Sequence, residues 1–146
     1  MSIMHKKYLF VLLVICVLLS GCAGNNDEHL IFGDLSEANH VIISLYPNAN
    51  PACASIAKNC TQAEDVEMII TAIKDVRGKE IPETIYGGEY IYISIYRDES
   101  NIYKIYIYSN AKLIINGKTY SCTKLHDFNE LYDSLKANEE VMFLDY

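Results

Sequence analysis

Alternating apolar and polar positions run through much of the chain after residue 40. His40–Tyr46 places an aliphatic residue at every second position, and a weaker segment, residues 53–58, returns beside it. Residues 89–97 and 102–108 carry isoleucines at every second position with tyrosines between them. Because successive side chains of a strand point to opposite sides, this pattern predicts strands with one isoleucine face and one tyrosine face.

Two other segments have the three- and four-residue apolar spacing of amphipathic helices. In the first, Thr61 and Glu64 have the spacing of a capping box, and Gly78 suits a left-handed C-cap. We therefore expect a helix that begins after Thr61 and ends just before Gly78. In the second, Asp127 is the expected N-cap of a helix over residues 128–137.

Turn residues predict how the strands pair. Asn116-Gly117 is typical of the two-residue type I′ turn of a β-hairpin. In the preceding hairpin we expect a three-residue loop, residues 99–101, with Asn101 left-handed. That loop keeps the isoleucines of both strands on one face, with Ile95 opposite Ile105.

These elements follow the order β-β-α-β-β-β-β-α, and residues 141–146 can add a short edge strand. Runs of strands and separate helices are typical of the α+β class. We therefore predict a single twisted antiparallel sheet, with two helices packed on its isoleucine face.

The first twenty-two residues have the pattern of an export signal. Lys6 and Lys7 precede an apolar run over residues 8–19, which is too short and wrongly flanked for a membrane span. The run ends in Leu19-Ser20-Gly21-Cys22, which resembles the lipobox of bacterial lipoproteins. That resemblance implies that Cys22 is acylated and, after cleavage, becomes the lipid-anchored N-terminus on the extracytoplasmic face of the cell membrane.

The lipobox divides the chain into three predicted parts. Residues 1–21 are a signal peptide, residues 22–37 are the lipidated cysteine and a flexible tether, and residues 38–146 are a single α+β domain. Removal of the signal takes away two lysines, so the formal net charge changes from -7 to -9. Such an acidic domain would be repelled by nucleic acids and by anionic lipids, so membrane attachment is expected through the acyl chains.

Three cysteines remain in the predicted domain. Cys53 and Cys60 are close enough in sequence for a disulfide across a turn, which would leave Cys122 unpaired. The alternative is three reduced, partly buried thiols that act as small apolar side chains. The spacing of these cysteines does not fit a zinc site.

The tyrosine face is the best candidate for a binding surface. Tyrosines give rigid amphipathic contact area at low entropic cost, but they are also favourable strand residues without any partner. Its predicted contact residues are Tyr90, Tyr92, Tyr96, Tyr106 and Tyr108.

No residue pattern indicates catalysis, a metal or a cofactor. His126 and Asp127 are explained by a helix start, and the acidic residues that follow Thr61 suit the positive end of a helix dipole. The sequence thus predicts a protein that is not an enzyme and that has no catalytic residues.

The lipobox, the Ile-, Lys-, Asn- and Tyr-rich composition, the Thr61 helix start and the Asn116-Gly117 hairpin are together similar to small lipoproteins of low-GC Gram-positive bacteria. Their domain has no assigned activity, so the resemblance implies location and fold class only. We expect a membrane-anchored binding module for a protein, peptide or envelope component. The alternatives are an accessory subunit of an envelope complex and a small hydrolase.

Overall fold

The computed structural model describes residues 28–46, 55–85, 87–108 and 111–142. These residues form one sheet of nine strands and two helices, and all the strand pairs are antiparallel. The strands follow the spatial order β1-β4-β8-β7-β6-β5-β2-β3-β9. Their bounds are β1 His29–Leu30, β2 His40–Tyr46, β3 Ser55–Cys60, β4 Arg77–Glu80, β5 Tyr90–Arg97, β6 Ser100–Tyr108, β7 Lys112–Ile115, β8 Lys118–Cys122 and β9 Glu139–Met142, and the helices are α1 Ala63–Ile73 and α2 Phe128–Ser134.

The hydrophobic core lies between the isoleucine face of the sheet and the two helices. Ile43, Ile93 and Ile105 are fully buried and contribute to a single cluster with Ile69 of α1 and Phe128 of α2. Burying this aliphatic surface supplies the main stabilisation of the domain. The predicted α+β class, with one antiparallel sheet and two helices, is confirmed.

The ends of α1 differ from the prediction. Its N-cap is Gln62, which makes no side-chain cap bond, so the Thr61 cap is wrong. The helix ends at Ile73, and Gly78 lies in β4 opposite Cys122 rather than in a left-handed cap. A Cβ atom at Gly78 would lie 2.8 Å from the Cys122 Sγ atom, so this glycine allows close approach of two strands. The pairing of β4 with β8 replaces the last helical turn that the sequence predicts.

The hairpin between β5 and β6 also differs from the prediction. Its turn has two residues, and the left-handed residue is Asp98, at a φ of 54°, rather than Asn101. Ile93 pairs with Ile105. A two-residue turn alone would place the isoleucines of the two strands on opposite faces of the sheet. A bulge between Ile95 and Tyr96 shifts the register by one residue, so that the isoleucines share one face.

An asparagine before β2 holds the Asp98 turn. The side-chain amide of Asn39 donates to Asp98 Oδ1 at 2.9 Å, and the Asp98 backbone N–H donates to Asn39 Oδ1 at 2.9 Å. This reciprocal pair stabilises a left-handed conformation that aspartate tolerates better than most residues. The partner is 59 residues away in sequence.

The other turn predictions are confirmed. Asn116 and Gly117 both have positive φ, at 48° and 84°, as a type I′ turn requires. The side chain of Asp127 accepts hydrogen bonds from the backbone N–H groups of Asn129 and Glu130, so it is the N-cap of α2. Local sequence was sufficient at these two places because all the partners are neighbours in the chain.

The domain begins earlier than predicted. β1 pairs with β4, and both Phe32 and Leu35 are buried in the core, so residues 28–37 belong to the domain and not to a tether. The predicted signal peptide and Cys22 lie outside the described residues. Among the residues described, no helix is long and apolar enough to cross a membrane.

Candidate functional site

Tyrosines of three neighbouring strands meet on the sheet face opposite the core. Tyr90 pairs with Tyr108 and Tyr92 pairs with Tyr106 across β5 and β6, while Tyr46 of β2 lies opposite Tyr90. We call these five residues the tyrosine cluster. Alternation along the strands determines that the rings share a face, and strand pairing brings them together.

The rings of the tyrosine cluster pack directly on one another. Tyr46 stacks on Tyr90, with ring centroids 4.7 Å apart and an angle of 15° between the planes. Tyr90 lies 5.7 Å from both Tyr106 and Tyr108, and Tyr92 lies 5.0 Å from Tyr106. Such pairs add about 0.5–1.5 kcal/mol each beyond simple burial, so the cluster is preorganised.

Exposure separates the members of the cluster into two groups. Tyr46 and Tyr92 are only 3% and 7% exposed, whereas Tyr90, Tyr106 and Tyr108 are half-buried. Part of the ring surface of Tyr90, Tyr106 and Tyr108 is therefore exposed to solvent, whereas the rings of Tyr46 and Tyr92 are covered by their neighbours.

Tyr92 is further fixed by a hydrogen bond along its own strand. Its hydroxyl donates to Ser94 Oγ at 3.2 Å, and Ser94 also accepts a hydrogen bond from the Asn101 side chain. Burial raises the pKa of Tyr92, since the phenolate would lose solvation. Tyr92 therefore contributes packing rather than contact area.

Tyr96 lies on the same face but nearer the β5–β6 turn. Its ring stacks on His40 with centroids 4.7 Å apart and an interplanar angle of 19°. The His40 Nε2 atom lies 2.6 Å from Asn59 Oδ1. Of the five predicted contact residues, the structure brings four together and places Tyr96 in a separate pair.

Sequence reasoning missed Tyr46 as a member of the cluster. Its place at the end of an alternating strand put it on the correct face, but only the pairing of β2 with β5 shows that it reaches Tyr90. Tyr46 also accepts a hydrogen bond from Ser55 Oγ at 2.7 Å. This bond connects the cluster to β3.

A basic residue borders the tyrosine cluster. Lys112 of β7 pairs with Tyr108 in the sheet, and its Nζ atom lies 2.5 Å from a carboxylate oxygen of Glu83. Glu83 belongs to the segment between β4 and β5. Glu83 thus neutralises the charge of Lys112 at this border, whereas the exposed Lys104, which pairs with Ser94, lies on the same face of the sheet.

The predicted disulfide between Cys53 and Cys60 falls partly outside the described residues, because Cys53 is not among them. Cys60 is a free cysteine and is buried in the hydrophobic core.

The two described thiols are unreactive. Burial raises the pKa values of Cys60 and Cys122 to about 11, so the nucleophilic thiolate is scarce near neutral pH. Both cysteines belong to the hydrophobic core cluster.

The weaker catalytic candidates do not converge on a reactive site. Asp127 caps α2, and His126 beside it is exposed. Glu64 forms an ion pair with Lys136 at 2.6 Å. Within the described ranges, no group of three His, Cys, Asp or Glu side chains could hold a metal ion.

Comparisons with known proteins give no match: no family model matches the chain, and no curated protein or solved structure is significantly similar to it. Function must therefore be inferred from the side chains of this protein.

Proposed function

We propose that this protein is a lipid-anchored, non-enzymatic binding module on the extracytoplasmic face of the membrane, and that its tyrosine cluster contacts a protein or peptide of the cell envelope. The observation that carries the proposal is the packed row of half-buried rings. Both described helices cover the opposite face of the sheet. Tyrosine-rich rigid surfaces are typical of protein interfaces.

An anchor at Cys22 would hold the sheet with one edge near the membrane. Seven residues lead from Cys22 to His29, where β1 begins, so β1 would lie within about 25 Å of the lipid surface. β1 is one edge of the sheet and β9 is the other. With strands about 4.8 Å apart, the tyrosine cluster on β6, β5 and β2 lies ~19–29 Å from the anchored edge. That position keeps it accessible to other envelope proteins.

The lipid anchor predicts the effect of a single substitution. Replacing Cys22 by serine removes the acylated thiol, so we expect the protein to move from the membrane fraction to the soluble fraction. Fractionation of cells that express the full chain, with immunoblotting, measures this directly. Cys16→Ser is the matched control and should stay membrane-bound. Full membrane retention of a Cys22→Ser chain that has lost its signal peptide, as judged from its mass, would disprove the anchor.

The tyrosine cluster predicts a specific loss of partner capture. Tyr106→Ser removes a half-buried ring from the middle of the cluster, and loss of such an interface ring typically weakens binding by about 2 kcal/mol, or ~30-fold. The measurement is capture from detergent-solubilised envelope with the full-length protein, followed by mass spectrometry.

The control for this experiment is Tyr120→Ser. Tyr120 is also half-buried, but it pairs with Leu113 on the isoleucine side of the sheet. Both variants are first checked by thermal melting. A partner lost from Tyr106→Ser and kept by Tyr120→Ser supports the proposal. Equal capture by wild type and Tyr106→Ser would exclude the cluster as the contact surface.

One observation favours the second candidate, an accessory subunit of an envelope complex. Ile56 and Val141 pair at the β3–β9 edge and are 49% and 69% exposed. An exposed apolar pair at a sheet edge is typical of a contact with another subunit. Capture of the same partner by Tyr106→Ser but not by Val141→Lys would favour this function.

A further inference from the structure

A groove of about 690 Å³ lies at the end of the sheet where β2 and β6 end and β5 begins. Its floor is a row of directly paired apolar residues, Leu45, Ile91 and Ile107, with Ile56 beside Leu45 on β3. Phe128, at the start of α2, also lines the groove. This volume and this apolar floor are typical of sites for small organic ligands.

The acidic side chains that the described residues contribute to the groove outnumber the basic ones. The described lining contains the carboxylates of Glu89, Asp127 and Glu139, together with the exposed imidazole of His126, and it contains no lysine or arginine. Asp127 is occupied in capping α2, so Glu89 and Glu139, both exposed, are the carboxylates that can meet a ligand.

The neighbouring basic residue does not cancel this charge by direct contact. Lys58 pairs with Glu139 in the sheet, but its ammonium donates hydrogen bonds to the carbonyl oxygens of Tyr132 and Leu135. Burial, and secondly the Glu139 carboxylate, raise the pKa of Tyr132 to about 12. Glu139 therefore lies close to the Tyr132 hydroxyl.

We propose that the groove binds small organic cations in which an apolar or aromatic body carries one protonated amine. The body would lie on the Leu45–Ile91–Ile107 row, and its ammonium would be attracted by the negative potential that Glu89 and Glu139 together give to the groove. Anionic ligands of the same shape would be repelled, because Coulomb interactions are stronger in a partly water-excluded groove than in bulk water.

The chain contains no tryptophan, so an indole probe can be excited selectively at the red edge of its absorption, where the twelve tyrosines absorb little. We would titrate the full-length protein with tryptamine, which is cationic, and with indole-3-propionate, which is anionic. The expected result is a blue shift of indole emission with tryptamine and an affinity about tenfold higher than for indole-3-propionate. Equal affinity of the two probes, or no binding of tryptamine, would overturn the proposal.

A charge-matched pair of variants locates the site. Glu89→Gln/Glu139→Gln should reduce the preference for tryptamine to less than about threefold, since the attraction to the ammonium is lost. Glu67→Gln/Glu99→Gln changes the net charge equally at exposed residues that do not line the groove, and it should keep the preference. Loss of preference in both would show that only the overall charge matters, which would refute the site.

This proposal and that of the tyrosine cluster can fail separately. Tyr46, Tyr90 and Tyr108 of the cluster also line the groove, but Tyr106 does not, so Tyr106→Ser should bind tryptamine as the wild type does even where partner capture is lost. A loss of tryptamine binding in Tyr106→Ser would place the probe on the cluster and contradict the groove.

Discussion

Replacing Asp65 by alanine should lower the free energy of unfolding by about 3 kcal/mol, because it removes a buried charged acceptor of two backbone hydrogen bonds. Asp65 is 1% exposed in the first turn of α1. Its two carboxylate oxygens accept from the N–H groups of Lys136 at 3.0 Å and Ala137 at 2.9 Å. Urea denaturation followed by far-ultraviolet circular dichroism measures the change.

Glu67 provides the control on the same helix. It is exposed, and Glu67→Ala should change the free energy of unfolding by less than about 0.5 kcal/mol. If Asp65→Ala were as mild as this control, the two N–H groups could not depend on Asp65, and the proposed role of its carboxylate would be wrong.

Lys58→Met should cost about 2–3 kcal/mol, although methionine preserves most of the buried hydrocarbon chain. The Lys58 side chain is buried, and its Nζ atom donates to the carbonyl oxygens of Tyr132 at 2.8 Å and Leu135 at 2.9 Å. It also lies 4.8 Å from the centroid of the Tyr132 ring. Methionine leaves these carbonyls without their cation and removes a cation–π contact.

The matched control is Lys104→Met on the exposed side of β6, which should be nearly neutral. Thermal melting and urea titration of the two variants give the comparison. Equal stability of Lys58→Met and Lys104→Met would mean that solvent replaces the buried ammonium at no cost, contrary to our expectation.

Lys58 and Asp65 both stabilise the C-terminal end of α2 and the residues that follow it. Lys58 binds the carbonyl oxygens of Tyr132 in the last turn of α2 and of the C-cap residue Leu135, and Asp65 binds the backbone N–H groups of the two residues after that cap. α2 has only seven residues, so it depends on such tertiary contacts rather than on its own helix propensity. The same helix places Phe128 in the groove, so both contacts support the proposed ligand site.

The proposed contact surface could be predicted in part from the sequence. Alternation along residues 90–97 and 102–108 was sufficient to place the tyrosines on the face opposite the core, because side-chain direction in a strand depends only on position. Alternation does not determine which rings become buried. Tyr92 lies under its neighbours while Tyr106 stays half-exposed, and this difference arises from contacts across strands.

Nothing in the sequence indicates that the charged side chains of Asp65 and Lys58 are buried. Asp65 is an ordinary acidic residue of a first helical turn, and Lys58 is an ordinary strand residue. Their partners are 71 to 77 residues away, so their roles depend on how α1, β3 and α2 pack. The groove cannot be predicted from the sequence either, because the residues of its floor come from four strands and its carboxylates come from three separate segments.

The sequence by itself determined the local features of this protein: the alternating faces, the Asn116-Gly117 turn, the Asp127 cap and the α+β class. Each depends on residues within a few positions of one another, where backbone sterics and short-range hydrogen bonds decide the outcome. Only the tertiary structure decided the bulged register of β5 with β6, the early end of α1 and the inclusion of residues 28–37 in the domain. In each case pairing between distant strands and burial of apolar side chains outweighed a local preference of about 1 kcal/mol.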